Sequence, residues 1–364
     1  MNVSYFWQKL LTRIRLRESE KENSNSKKFA FLIHPRISAR EDIGKVFPLF
    51  KFIPEKLLRK LIVFFPPIVR GKVIFIPNRK LIGWIIVIPL TGEQLLSFPR
   101  EFVLKKLIQA LRKAKKLGVE IIGLGEFLAS ITKGGEELVG KVPGILIDNG
   151  KALTAGVTFK AIEEIAKVKG IDLSKTKIAI VGGAGSIGRT VGFLFSEKNS
   201  FLILVDKKGK VEELEKVFGF YKNKLITHNL ERIKEAKIVI VATASTQQIV
   251  SSQFLGENTI VYDITQPRNT SPRILKERKD ITIIDGGVLD TPLFDYGMDI
   301  GLKKHQAYAC LAEAMICAME KLNKNFVGYP RLEDAKEMIS FFDKHSEYFR
   351  LNIFQSFGRP INKI

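Results

Sequence analysis

Short apolar runs and one helical stripe alternate through the middle of the chain. Residues 178–181 form a β-branched run that predicts a buried parallel strand, and residues 201–205 predict a second one. Between them, the apolar residues of 187–195 fall on one face of a helix. Similar runs predict four more strands, at 224–227, 237–242, 259–263 and 281–285. We therefore predict an α/β protein built on a Rossmann-type, doubly wound parallel sheet.

The flanking patterns predict an N-terminal α/β substrate domain and C-terminal helices. A helix from Thr154, as its N-cap, to Lys169 is expected to lead into the central sheet. After the sheet we predict helices at 305–322 and 331–349, and an irregular tail at 350–364. The predicted boundaries are an extension at 1–28, the substrate domain at 29–170, the NAD(P)-binding Rossmann domain at 171–290 and a C-terminal helical segment at 291–364.

The extension at 1–28 has its own pattern. Its apolar residues, which include Phe6, Trp7 and Leu10, form one helical stripe that is surrounded by lysine and arginine. A basic amphipathic helix of this kind suits an anionic membrane surface. Docking of the helix on the protein's own core, or a frayed terminus, would give the same pattern.

Composition narrows the possible environment and partners. The two cysteines cannot make a disulfide framework, and no signal peptide is apparent, so we expect a cytoplasmic protein. The extension adds the alternative of peripheral attachment to the inner face of the membrane. The net charge of +21 suggests an anionic partner, although a lysine-rich proteome would also explain it. Because no zinc spacing, helix-turn-helix or RNP pattern is present, we expect neither nucleic acid nor a metal.

A glycine turn joins the first predicted strand of the sheet to its helix. Gly183, Gly185 and Gly188 have the GxGxxG spacing, and an acid, Asp206, ends the second strand. These positions suit a tight turn, a close approach to pyrophosphate and tight helix packing. Strand ends of this fold face the ligand, which adds candidates further along the chain. The predicted cofactor-binding residues are Gly182, Gly183, Ala184, Gly185, Ser186, Ile187, Gly188, Asp206, Lys207, Lys208, Ala242, Thr243 and Gly286.

One cysteine is a candidate nucleophile. Cys310 lies in the segment QAYACLAEAM, within a predicted helix. A buried helical cysteine is ordinarily a small apolar residue, whereas a thiol near a helix start can have a lowered pKa. From the residues alone, both interpretations stay open.

Several segments resemble long-chain acyl-acyl-carrier-protein reductases, the cyanobacterial-type enzymes that form fatty aldehydes. They are FLIHPR, the Pro66-Pro67 pair, IIGLGEF, DNGKALTA, VGGAGSIG, IIDGGVLD and QAYACLAEAM, in that order. The resemblance implies reduction of a long-chain fatty acyl thioester to an aldehyde with NAD(P)H. It also implies that Cys310 is the catalytic residue that takes the acyl group, and that the donor is an acyl carrier protein or acyl-CoA.

NADH and NADPH are both compatible with the residues that follow the second predicted strand. Asp206 favours NADH because an acid there binds the ribose 2′-hydroxyl and repels a 2′-phosphate. Lys207 and Lys208 could hold that phosphate. We expect NADPH, which the resemblance implies, with NADH as the alternative.

Two rival functions remain at this stage. A shikimate- or quinate-type NAD(P)-dependent dehydrogenase has the same domain order and needs no cysteine. A non-catalytic dinucleotide-binding protein could instead dock at membranes through its extension. Acylation of Cys310 by a labelled acyl thioester is expected only for the reductase.

Overall fold

The computed structural model describes residues 26–35, 40, 52–75, 81–125, 127–245 and 247–361. Most of the predicted extension, residues 1–25, therefore lies outside the described residues. No helix within the described part is long and apolar enough to cross a membrane.

The first half of the chain forms a mixed sheet of six strands. In spatial order they run β13-β2-β3-β1-β4-β5. Strands β1, β3, β4 and β5 are parallel, β2 pairs antiparallel with β3, and β13 pairs antiparallel with β2. Both faces of β3 are buried, which explains its continuous apolar sequence LIGWIIV. The bounds are β1 Lys27–Ile33, β2 Ile68–Phe75, β3 Leu81–Val87, β4 Ile121–Leu124, β5 Leu146–Asp148 and β13 Phe294–Asp295.

The second sheet contains the six strands predicted for the Rossmann domain, all parallel. Their spatial order is β11-β10-β9-β6-β7-β8, so the order reverses between β6 and β9. The predicted α/β class with a doubly wound sheet is confirmed. The bounds are β6 Lys177–Val181, β7 Phe201–Val205, β8 Lys224–Thr227, β9 Ile238–Val241, β10 Ile260–Asp263 and β11 Thr282–Asp285.

Helices cover the faces of both sheets. On the first sheet, Val103 and Leu107 of α3 pack on one face with Ile82, while Ala312 and Met315 of α9 pack on the other. The bounds are α1 Glu55–Ile62, α2 Gly92–Ser97, α3 Arg100–Lys116, α4 Phe127–Ile131, α5 Lys151–Lys169, α6 Ser186–Ser196, α7 Val211–Phe218, α8 Ile274–Glu277, α9 Ala309–Glu320 and α10 Leu332–Lys344.

The start of α5 differs from the prediction. Thr154 is not the N-cap, because the helix already begins at Lys151 after Gly150, whose φ is +70°. Side chains elsewhere accept hydrogen bonds from the first amides: Asn149 Oδ1 from Lys151 at 3.1 Å, and Glu313 Oε2 from Leu153 at 2.7 Å. These acceptors satisfy the first turn, so the helix gains one turn over the predicted start.

The C-terminal segment also differs from the prediction. Residues 306–308 form strand β14, which pairs antiparallel with β12 (Val288–Asp290), so the predicted helix 305–322 begins only at Ala309. The tail is not irregular. It contains the short strands β15 Arg350–Leu351, β16 Gln355–Ser356 and β17 Arg359–Pro360. Because β13 and α9 pack with the first sheet, the C-terminal segment joins both halves; the predicted domain boundaries stay a prediction.

Candidate functional site

The glycine turn follows β6 and fits the pyrophosphate of a dinucleotide. Gly182 has a φ of +90°, and a Cβ there would lie 2.6 Å from the carbonyl oxygen of Ala242. A Cβ on Gly188 would lie 2.2 Å from the carbonyl oxygen of Gly182, so both positions require glycine. The tight turn expected at Gly183 is thus made at Gly182. The N-cap of α6 is Gly185, which has no side chain to occupy the first amides of the helix, so these amides can bind phosphate oxygens.

The carboxylate of Asp206 is fixed on this turn. Its Oδ2 accepts a hydrogen bond from the amide of Ala184 at 2.8 Å, and its Oδ1 accepts one from the amide of Lys207 at 2.8 Å. Lys207 and Lys208 are exposed beside it. The acid therefore lies at the end of β7 next to the glycine turn, where the ribose of a bound dinucleotide is expected.

The other predicted cofactor residues lie along the same edge of the sheet. Ala242 and Thr243 follow β9, and Thr243 Oγ1 donates a hydrogen bond to Asn269. Gly286 follows β11, where a Cβ would lie 2.5 Å from Ile264 Cγ2. Since all six strands are parallel, their carboxyl ends share one edge, which the predicted residues occupy. Their contacts with a cofactor stay a prediction.

Cys310 lies where the two halves of the protein meet. It is the second residue of α9 and is half-buried, and the preceding amide, of Ala309, donates to the carbonyl oxygen of Gly287 at 2.9 Å. A Cβ on Gly150, at the end of β5, would lie only 2.2 Å from the Cβ of Cys310. Cys317 is buried in the core, and burial raises the pKa of its thiol, so it ionises less readily than an exposed cysteine. The catalytic role of Cys310 stays a prediction.

A buried carboxyl pair beside Cys310 was missed by the sequence analysis. Asp148 and Glu313 are at most 1% exposed, and their side chains are within hydrogen-bonding reach of each other. Burial raises the pKa of Asp148 to about 7, against the opposing effect of the Gly150 amide. Burial, and then the charge of Asp148, raise the pKa of Glu313 well above its ordinary value. Asp148 and Glu313 are 165 positions apart in the sequence, and no local pattern links them.

Lys151 lies at the same junction. Its Nζ donates to the carbonyl oxygen of Gly328 at 3.3 Å. Burial lowers the pKa of Lys151, and the charges of Glu136 and Glu313 oppose that shift. A lysine in such a position releases its proton more readily than an exposed one.

The family comparison points to dehydrogenases. Residues 164–285 match the shikimate / quinate 5-dehydrogenase family. This segment includes all six strands of the second sheet, the glycine turn and Asp206. It covers about a third of the chain.

Individual relatives are distant. Aminotransferase PigE of Serratia sp. (strain ATCC 39006) is 26% identical over 291 residues, which are 77% of this chain and 34% of that protein. The chain thus spans about a third of the length of that relative. The long-chain acyl-[acyl-carrier-protein] reductase of Synechococcus elongatus is 24% identical over 237 residues, 61% of this chain and 68% of that protein. Among solved structures, shikimate dehydrogenase from Aquifex aeolicus has 13% identity and a TM-score of 0.41, over 87% of this chain and 98% of that one.

These comparisons overturn the predicted function. Reduction of a long-chain fatty acyl thioester to an aldehyde is wrong, because the family model that matches the cofactor-binding sheet is that of shikimate / quinate dehydrogenases. The similarity to the acyl-carrier-protein reductase, at 24% identity, does not outweigh that match. The rival prediction of a shikimate- or quinate-type dehydrogenase is the better supported one. The second sheet has the Rossmann topology, and the segment that forms it matches a family of dehydrogenases.

Proposed function

We propose that this protein is a shikimate- or quinate-type dehydrogenase that interconverts an alcohol and a ketone on a small polar substrate. The observation that carries the proposal is the family match over 164–285, which coincides with the uncapped helix α6 and the glycine turn. When bound, the nicotinamide cofactor supplies or accepts the hydride. The chain's residues bind its phosphates through the amides at the start of α6 and leave the adjoining strand ends for the substrate.

We propose NADH as the preferred cofactor, the alternative in the sequence analysis. The amides of Ala184 and Lys207 both hold the carboxylate of Asp206. Turning the side chain outward would break two charge-assisted hydrogen bonds, each with a net value of about 1.5 to 3 kcal/mol. A fixed carboxylate at this position accepts hydrogen bonds from ribose hydroxyls and repels a 2′-phosphate.

The experiment is a binding and turnover assay on the full chain. We expect NADH to bind, and shikimate or quinate to be oxidised with NAD⁺, which is read by absorbance of the reduced cofactor. Ser186→Glu should abolish cofactor binding, because it puts a negative charge at the start of α6, whereas Ser186→Ala should bind normally. The new acid suits the helix dipole, so the fold should survive. Normal NADH binding by Ser186→Glu, or turnover of neither substrate by the wild type, would contradict the proposal.

A further inference from the structure

A cavity of about 480 Å³ with both polar and apolar lining opens beside the carboxyl end of β10. Three separate parts of the chain line it: the loop after β10, residues 299–303 with Tyr308, and the C-terminal hairpin β16–β17. Its volume is typical of a site for one small molecule.

The cavity lies on the nicotinamide side of the expected cofactor. Asp206, at the end of β7, marks the side of the ribose next to adenine, and the glycine turn after β6 marks the pyrophosphate. Strands β9, β10 and β11 continue in the opposite direction from β6. A dinucleotide that crosses the sheet at the point of strand reversal therefore extends its nicotinamide half toward the cavity beside β10.

Arg268 is held in the wall of this cavity. Its Nε donates to Oδ1 of Asp285 at 2.7 Å, and its guanidinium lies 5.4 Å from the ring centroid of Phe357. Asp285 is 1% exposed and also accepts hydrogen bonds from the amides of Phe357 and Gly358 and from Gln355 Nε2. Among the described residues, none accepts a hydrogen bond from the two Nη groups of Arg268. A guanidinium fixed through Nε presents those two donors as a preformed fork.

The charges around the cavity sum to zero. Arg268 forms an ion pair with the buried Asp285, and the wall also contains Lys303 and Asp299. Oδ1 of Asp299 accepts a hydrogen bond from the amide of Gly301 at 2.7 Å, so part of its charge is already engaged. Because these four charges sum to zero, recognition of an anion here depends on the geometry of the Nη donors of Arg268 and not on excess positive charge. The planar fork matches a carboxylate.

We propose that this cavity is the substrate site and that Arg268 binds the carboxylate of a monocarboxylic acid substrate. The inference rests on the proposed dehydrogenase function and adds the residue that recognises the substrate. Asp285 and the C-terminal hairpin act as positioning residues, since they hold the guanidinium in place.

The experiment measures binding of shikimate, quinate and their methyl esters to the full chain, with and without NADH, by titration calorimetry. The wild type should bind at least one acid more tightly than its ester, by about 10- to 100-fold, because the ester loses the charge that the fork recognises. Arg268→Gln should remove that preference while its NADH affinity stays unchanged. Arg273→Gln, the same charge change at an exposed site in the same segment, should keep the preference.

Each outcome decides the inference. If Arg268→Gln fails to fold, Arg268→Lys tests the inference instead, because it keeps a cation beside Asp285. The Arg268→Lys variant should bind the acid at least about 10-fold more weakly than the wild type, because its ammonium cannot make two parallel hydrogen bonds. Equal binding of acids and esters by a wild type that binds NADH would overturn the carboxylate site and leave cofactor binding intact. Absence of NADH binding would instead refute the proposed function, while the titrations without cofactor still test the cavity.

Discussion

The carboxyl pair Asp148–Glu313 predicts that the folded protein becomes less stable as the pH rises from about 4 to about 7. Folding raises the pKa of Asp148 from 3.8 to about 7. Within this window the unfolded chain releases a proton that the folded chain retains, so the free energy of unfolding falls with increasing pH. For Asp148 the change of about 3 pH units corresponds to a loss of about 4 kcal/mol by about pH 7, and the raised pKa of Glu313 adds to the loss in the same direction.

Asp148→Asn should weaken this dependence, because it removes the titration of Asp148 and leaves that of Glu313, whose pKa burial still raises. The new amide oxygen can still accept from the Gly150 amide, which Asp148 Oδ1 does now at 2.9 Å. The new amide nitrogen can donate to Oε1 of Glu313, a buried atom for which the described residues provide no donor. In the variant, the amide nitrogen of residue 148 thus replaces the proton that the two carboxyl groups share. The one remaining buried charge is that of Glu313, which attracts Lys151. We expect the variant to be more stable than the wild type at about pH 8 by about 1 to 4 kcal/mol, and by much less at about pH 5.

Urea unfolding from about pH 5 to about pH 8, followed by the fluorescence of the buried Trp84, measures both the slope and the difference. Asp285→Asn is the matched control, since Asp285 is equally buried but ion-pairs with Arg268; its loss should destabilise the protein at every pH. A wild type with constant stability over this range, or an Asp148→Asn variant that is less stable at about pH 8, would refute the reasoning.

Four further predictions concern the cofactor, the cysteine, the junction and the extension. Asp206→Ser should shift kcat/KM toward NADPH by at least about 10-fold, whereas Lys207→Ala with Lys208→Ala should leave kcat/KM for NADH unchanged. A wild type that prefers NADPH would contradict the proposal that Asp206 sets the preference for NADH. Cys310→Ala should keep NADH binding and dehydrogenase turnover, because a dehydrogenase needs no thiol; loss of turnover with normal cofactor affinity would restore Cys310 as the nucleophile. Gly150→Ala should cost about 2 to 4 kcal/mol in urea unfolding, because its φ is +70° and the new Cβ would meet Cys310 at 2.2 Å; an unchanged midpoint would show that α9 can shift. Removal of residues 1–24 should abolish binding to anionic vesicles in a sedimentation assay and leave the unfolding midpoint unchanged; equal sedimentation of both forms would exclude the membrane role.

The sequence by itself determined the cofactor-binding sheet. Apart from the half-buried edge strand β8, strands β6 to β11 have apolar side chains on both faces, so each appears in the sequence as a short apolar run. The glycine turn and Asp206 lie within 25 residues of each other, and their spacing follows directly from one strand–helix–strand unit. Local patterns of this kind survive in a single sequence because neighbouring residues produce them.

Only the tertiary structure decided where the rest of the site lies. Glu313 accepts from Leu153, 160 positions away, which starts α5 a turn earlier than Thr154 suggested. Residues 306–308 pair with β12, so the segment 305–322, which has a helical pattern, begins with a strand. Arg268 becomes a candidate substrate residue only because Asp285 and a hairpin from the end of the chain hold it. Each of these depends on hydrogen bonds between residues far apart in sequence, whose free energy is available only after the chain has folded.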